Sequence, residues 1–386
     1  MEGQFLKKEQ FKVDVWLIIF LLLAAVGIIG MVNVYIKGQE ASYNVTRDIS
    51  WGLLIIGYSF FVGITTGLSL LSAFGHLFKF EKFHIHSRKF MWAALCSLLA
   101  GFFIIFWDLG GPFRLQVLRF VVNIVPFHWT SPIWWMSVLY ALELPILIVE
   151  VLLLIANKEK LTFIASIIGF LVGISAYSNM GFVFSANISR PFWHGPFIPL
   201  FFILSAIGLG ASAGIIILFV SRKTLSQERY TEALTTLSKT LFIVILMMMF
   251  AKVWRTVTLL YGRQPMTYQA VKELVFGSLA FNFWFFEIII GLVIPFLILL
   301  FSRFKSTTIS LVSSICAIVG IFFMRYDSII AGQIVPVIDI YSPQKEILLY
   351  YPSFAEITLF VSAIGVLGLL YVVGIRILQL EEENHE

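Results

Sequence analysis

The chain has 386 residues, 59% of them hydrophobic and 13% charged, with a formal net charge of +5. Soluble domains carry about 25% charged residues, and the mean hydropathy of +0.93 excludes that class. The basic residues are spread over many short loops, so the positive balance excludes nucleic acid as a partner and points to membrane lipid.

Ten apolar stretches run along the chain, at 15–36, 51–78, 90–108, 133–156, 161–184, 197–220, 238–261, 275–301, 309–331 and 354–378. Each approaches the ~20 residues that a helix needs to cross the hydrocarbon core. Continuous runs such as LLIIGYSFFVGITTGLSLLSAF lack the alternation of barrel strands, and lipid offers the backbone no partners, so the spans are helices. The first follows Lys7, Lys8 and Lys12 as a signal peptide would. It is too long for one, and no small-residue cleavage site follows Val34-Tyr35-Ile36-Lys37, so it reads as a retained helix. The connections near 110–132 and 332–353 are too short to form a soluble domain. Cys96 and Cys316 both fall mid-span. Two thiols cannot ligate an iron–sulfur cluster, which takes four, so they read as packed core residues.

Span two carries Gly63 and Gly67, and span six carries Gly210 and Gly214. Such small-xxx-small faces let helix backbones approach closely. Span four holds Glu143 and Pro145, and span eight holds Glu287 and Pro295. Both correspondences are four spans apart, the pattern of a repeat about an axis along the membrane normal. The expected fold is all-α and polytopic, a single integral membrane domain over 1–386. Ten transmembrane helices form two four-helix bundles, 51–184 and 197–331, with helices 15–36 and 354–378 added outside.

Lys and Arg are twice as frequent on the N-terminal side of the spans as on the other. Short basic loops stay in the cytoplasm, so both termini are expected there and the 109–132, 185–196, 262–274 and 332–353 connections face outward. Ionisable residues inside a membrane face a partner or a cavity. Here they are Glu143, Lys252, Arg255, Glu287 and Arg325. Glu143 lies ~15 Å from its outward end at 1.5 Å per residue, with Glu287 at a similar depth. Lys252 and Arg255 share one helix face. These groups make either a buried ion-pair network, with Glu287 the preferred partner and Glu143 the second, or a proton or substrate path in the outer half.

The densest outward segment opens with WDLGGPFR, from Trp107 to Arg114, and closes with PFHWTSPIWW, from Pro126 to Trp135. Between them Arg114, Gln116, Arg119 and Asn123 interrupt apolar runs, which suits a helix at 113–125 lying in the interface plane. RPFWHGP, from Arg190 to Pro196, adds Trp193 and His194. Interfacial aromatics are normally an anchoring belt, but here acid, Arg and His groups gather among them.

At these residues the chain resembles the NrfD/PsrC family of membrane subunits of quinone-linked oxidoreductases. The resemblance rests on FFVGITTGLSLLSAFGH (Phe60 to His76), DLGGPFR (Asp108 to Arg114), TSPIWW (Thr130 to Trp135), RPFWHGPFIPLFFILSAIGLGASAG (Arg190 to Gly214) and EIIIGLVIP (Glu287 to Pro295). Gly111 stands where the family motif carries a basic residue, and Arg114 is retained. RYDSIIAGQ, from Arg325 to Gln333, and the tenth span resemble the ten-helix branch. That branch serves periplasmic hydrogenases, alternative complex III and DsrP-type subunits of heterodisulfide-reductase-like menaquinol oxidoreductases.

The resemblance implies a menaquinone or menaquinol site near the outer face and a ferredoxin-like iron–sulfur subunit docked there. Further redox subunits, of cytochrome or heterodisulfide-reductase-like type, would complete the complex. Quinone chemistry moves two electrons and two protons, so it needs acid–base groups beside a flat apolar pocket. Asp108, His128, Glu143 and Glu287 are the expected proton-transferring residues. Arg114, Trp107, Trp129, Trp193 and His194 are the expected quinone-binding set, and Lys252, Arg255 and Arg325 the charge network. No metal, haem or iron–sulfur cluster is expected in this chain. Two haems need four axial ligands, and of six histidines only His76 lies well inside a span. A secondary transporter, or a proton-translocating subunit without quinone chemistry, is the alternative that repeats and intramembrane charges also suit.

Overall fold

The computed structural model describes residues 14–77, 86–111, 125, 127–222, 226–337, 346–378 and 380. Among them every long element is helical, and ten helices are long and apolar enough to span a membrane. In chain order they are α1 (Val15–Lys37), a short α2 (Gln39–Ser42), α3 (Leu53–Leu77), α4 (Ser87–Asp108), α5 (Pro132–Ile155) and α6 (Glu159–Ser185). There follow α7 (Phe197–Ser221), α8 (Gln227–Gly262), a short α9 (Pro265–Phe276), α10 (Asn282–Ser302), α11 (Thr307–Ile334) and α12 (Phe354–Ile377). Helices α1, α4, α6, α8 and α11 end at one face, termed the site face, where α3, α5, α7, α10 and α12 begin.

The helix starts are written in local chemistry. Asp14 accepts the Leu17 N–H at 3.0 Å at the start of α1. Ser131 caps α5, whose first residue is Pro132, and Ser306 caps α11. Ser353 and Glu356 form a reciprocal capping box on α12. Each satisfies backbone N–H groups that lipid or interfacial water would otherwise meet poorly.

Two differences from the sequence reading concern the eighth span. It does not start at 275: α9 ends at Phe276, and the membrane helix begins at Asn282. Its first part, Asn282–Val293, is wound as a π-helix, and the α-form resumes at Ile294 next to Pro295. α8 also runs 36 residues, well beyond the expected 238–261. Its polar first turns, with Gln227 and Glu228, carry no hydropathy signal. The interface helix expected at 113–125 falls on residues that, apart from 125, lie outside the described ones.

α1 packs against α12, and α3 packs against α4, α6 and α7. α5 pairs with α6, and α10 with α11. α1 is mostly exposed, with Trp16, Leu22 and Tyr35 more than half accessible, as suits a lipid-facing helix. The two small-residue faces seen in the sequence meet each other. A Cβ at Gly67 would lie 1.9 Å from the Ala206 carbonyl oxygen and 2.6 Å from the Gly210 nitrogen. Helices in lipid associate through such close packing rather than through a hydrophobic drive. α3 and α7 therefore touch backbone to backbone. Gly67→Val is expected to destabilise the protein by at least ~3 kcal/mol, the upper range for overpacking. Gly262→Ala, where a Cβ meets nothing within 4 Å, is the neutral control. Thermal unfolding in detergent checks both.

Candidate functional site

The site face is organised around Glu356, which is 1% exposed at the start of α12. Its Oε2 accepts the N–H groups of Asn44 (3.1 Å) and Ser353 (2.8 Å), and its Oε1 accepts the Tyr350 hydroxyl at 2.6 Å. The Tyr350 oxygen in turn accepts the Leu53 N–H at 2.7 Å. One carboxylate thus ties α12 to the entries of α3 and to the 43–49 connection. Burial and the neighbouring Glu356 push the Tyr350 phenol well above its ordinary value.

Asp108 ends α4 in a half-buried position. Its backbone oxygen accepts Gln39 Nε2, and the Trp107 oxygen accepts the Tyr43 hydroxyl at 3.0 Å. Burial first, then the charges of Asp108 and Glu356, push the Tyr43 phenol above its ordinary value. Two carboxyls and two phenols therefore share one corner. Gly110 and Gly111 have φ of 109° and 64°, a backbone that side chains rarely adopt. This is the local reason a helix stops at this motif.

A second polar knot joins α11 to α3. Gln333 accepts the Trp51 N–H at 3.0 Å and donates to the Trp51 oxygen at 2.9 Å, so an amide side chain imitates a strand partner. Arg190 donates to the carbonyls of Asp48 (2.7 Å), Gln333 (3.1 Å) and Val335 (3.0 Å). Trp193 is buried, stacks on Trp51 at 5.2 Å and donates to the Ser328 oxygen at 2.7 Å. His194 is exposed, with its Nδ1 at 3.1 Å from the Ser185 oxygen.

The structure places the expected quinone-binding residues unevenly. Trp107 and Trp193 are buried in packing and hydrogen bonding. His128 and Trp129 are exposed, and Trp129 stacks with Phe127 (5.3 Å) and packs on Trp134 (5.2 Å) in an aromatic cluster. Arg114 lies outside the described residues. An apolar groove of about 200 Å³, lined by Pro145, Ile146, Val149, Ala165 and Ile168, opens between α5 and α6. That is away from Asp108 along the membrane normal.

Inside the membrane the charged groups find different partners. Lys252 makes an ion pair with Glu287, and both are buried. Arg255 instead donates to the Phe192 oxygen at 2.8 Å and lies over the Phe197 ring at 4.3 Å, a cation–π contact. Arg325, 1% exposed, donates to the Tyr177 hydroxyl (3.1 Å), the Phe202 oxygen (3.3 Å) and the Ser205 hydroxyl, and sits 3.5 Å from the Phe202 centroid. Glu143 is 2% exposed, and neither of its oxygens has a hydrogen-bond partner. Space beside it is lined by Ser69 and Gly173.

Four functional candidates escape a reading from sequence. Glu150 is buried and accepts the Ser166 hydroxyl at 2.6 Å. It lies seven residues from Glu143, on the same helical face, and that spacing was the available signal. Asp327 is fully buried on α11, two residues from Arg325 inside RYDSIIAGQ. Glu356 and Gln333 sit at helix ends, where a polar residue passes for ordinary capping or loop chemistry. Among the described residues no group of three or more His, Cys, Asp or Glu could hold a metal ion.

This is a polytopic helical membrane protein with buried charges and a densely hydrogen-bonded polar face. Residues 41–337 match the family described as "Polysulphide reductase, NrfD", and the chain belongs to that family. It is similar to the C subunit of the selenate reductase of Mesobacillus selenatarsenatis, 23% identical over 95% of both proteins. It is likewise similar to the Hdr-like menaquinol oxidoreductase integral membrane subunit of Archaeoglobus fulgidus, 24% identical over 94% of this chain and 93% of the relative. The membrane-subunit relative from the polysulfide reductase of Wolinella succinogenes is 25% identical, over 84% and 96%.

Glu356→Ala is expected to destabilise the protein by about 3 kcal/mol, from a lost cap and donors left buried without acceptors. Glu356→Gln, which keeps the shape and one acceptor, is expected to lose less than half of that. Unfolding curves in detergent give the comparison.

Proposed function

We propose that this chain is the membrane subunit of a multi-subunit respiratory oxidoreductase, binding menaquinone or menaquinol and exchanging its electrons with a partner iron–sulfur subunit. The family and the names of the relatives support a quinone-linked reductase complex. The observation that carries the reading in this chain is the corner at the end of α4. There half-buried Asp108 lies in the electrostatic field of Glu356 and beside Tyr43, at the membrane edge.

A quinol that gives up two electrons releases two protons, and a carboxylate at the membrane edge is suited to accept one and pass it to water. Asp108 is the group proposed to do so, with Trp107 and the aromatic cluster of Trp129 and Trp134 forming apolar walls nearby. Arg114, His128 and His194 remain proposed contributors to head-group binding. Glu143 and Glu287 are proposed proton-transferring groups in the membrane interior, reached from that corner. The two cysteines, on α4 and α11, cannot carry electrons onward, so a partner's clusters must approach the quinone. The site face is the proposed docking surface. The basic excess on the opposite side supports a cytoplasmic placement of both termini.

In the assembled complex, Asp108→Asn is expected to lower quinol turnover by at least ~100-fold, the lower range for general acid–base catalysis, with subunit assembly unchanged. Unchanged turnover would remove Asp108 from the chemistry. The docking face is tested by single cysteines at Ser189 and Lys158, exposed positions at opposite faces. Cross-linking to an iron–sulfur partner, and labelling by a membrane-impermeant maleimide on intact cells lacking that partner, are expected only from position 189. The reverse pattern would overturn both the docking face and the orientation.

A further inference from the structure

Three ionisable side chains from three helices meet in the second half of the chain. Lys252 of α8 is ion-paired with Glu287 of α10, and the carboxyl of Asp327 on α11 lies in hydrogen-bonding contact with that of Glu287. Their exposures are 7%, 0% and 0%. The helices are held together here by a second backbone contact: a Cβ on Gly291 would lie 2.4 Å from the Gly320 Cα. Gly291 is four residues from Glu287 and Gly320 seven from Asp327, so the contact brings the two carboxyls onto facing surfaces.

Ionised carboxylates are acceptors only. Neither Asp327 oxygen has a hydrogen-bond partner among donors that the protein supplies. A bond between Glu287 and Asp327 therefore exists only when one of them carries a proton. Like charges in contact cannot both ionise in such a site, and the single ammonium of Lys252 balances one of them. Other charged groups on the packed elements are committed elsewhere. Arg255 is within electrostatic range of Glu287, but its guanidinium donates to the Phe192 oxygen. Arg325 points to Tyr177 and Ser205, and the Tyr326 hydroxyl donates to the Tyr350 oxygen at 3.3 Å. α7 presents the Phe201 ring, 5.5 Å from Lys252 Nζ.

We propose that Glu287 and Asp327 hold one proton between them, with Lys252 balancing the remaining charge, so that the three form a proton-binding site inside the membrane. The loaded site is neutral. Releasing the proton as H⁺ moves no electron and leaves two carboxylates facing one ammonium, which alters the attraction among α8, α10 and α11. The π-helical stretch that carries Glu287 is the element whose packing this proton controls. The site is distinct from the Asp108 corner, and its test needs no quinone.

The test counts protonated carboxyls by infrared difference spectroscopy of the purified full-length chain at neutral pH, reading the carboxylic-acid carbonyl band and its shift in D₂O. Relative to the unaltered chain, Asp327→Asn and Glu287→Gln are each expected to lose one protonated carboxyl, because one acid then pairs with Lys252. Lys252→Gln is expected to gain one, because both acids then need a proton. Glu143 contributes equally to all four spectra and cancels. A band unchanged in Asp327→Asn would overturn the proposal, meaning that Asp327 is ionised and balanced by Arg255 or by a bound monovalent cation. A Lys252→Gln spectrum without the gain would also overturn it. Should that variant fail to accumulate, the two acid variants, which remove charge without changing volume, decide the matter.

Discussion

A charged side chain inside a bilayer must find its partners within the protein, because the lipid has none to offer. At the centre of a helix such a charge costs roughly 3 kcal/mol or more, and the interior of this chain is arranged around that constraint. Each buried charge meets it differently. Arg255 uses a carbonyl and two aromatic faces, Arg325 uses two hydroxyls, a carbonyl and a ring, and Lys252 uses a carboxylate. Guanidinium groups offer several donors in a plane and stack on rings, while an ammonium is a compact charge that favours a counter-ion. The residue types match the partners they have.

Those partners come within reach only because backbones touch. The Gly67–Gly210 and Gly291–Gly320 contacts remove the side-chain layer between helices, so short polar groups on neighbouring turns can meet. The π-helical stretch has the same effect by another route. An i→i+5 winding turns each residue relative to an α-helix and places Glu287 on the surface that faces α8 and α11. Pro295, at the return to α-winding, cannot donate to the preceding turn, which accommodates the change of pitch.

The frame was legible in the sequence because hydropathy reports directly on lipid contact. All ten spans stand close to the positions the apolar runs indicate, and the family followed from motifs at their ends. Partner choice was legible in part. The sequence named Glu287 as the preferred partner for Lys252 and Arg255; Lys252 makes that ion pair, while the guanidinium of Arg255 bonds a carbonyl. The break at 277–281 was hidden because Gly277-Ser-Leu-Ala is apolar enough to extend a hydropathy window. Asp327 was hidden because one acid beside Arg325 reads as its local partner, whereas neighbours two apart point to different faces of a helix. Glu356 was hidden because an acid at the third position of a helix has a sufficient explanation as a cap. In each case the missing information was which helix lies opposite, and periodicity along one helix does not contain it.

The polar groups of the site face and those of the interior differ in kind. At the face, Glu356, Tyr350, Gln333 and Arg190 have bonds to backbone and side chains of several elements. Satisfied networks in low-dielectric surroundings specify one arrangement. In the interior, Glu143, Tyr140, Thr66 and Ser72 each retain a buried oxygen without a protein partner, and the acids Glu287 and Asp327 face one another. Unsatisfied groups of this sort persist where they do something that a packed apolar core could not. A rigid face suits holding a partner or a head group in register, and an interior with spare acceptors suits taking up and giving back protons. The two properties would conflict if they shared one place, since fixing every hydrogen bond leaves none free to change. Their separation along the membrane normal lets one chain have both.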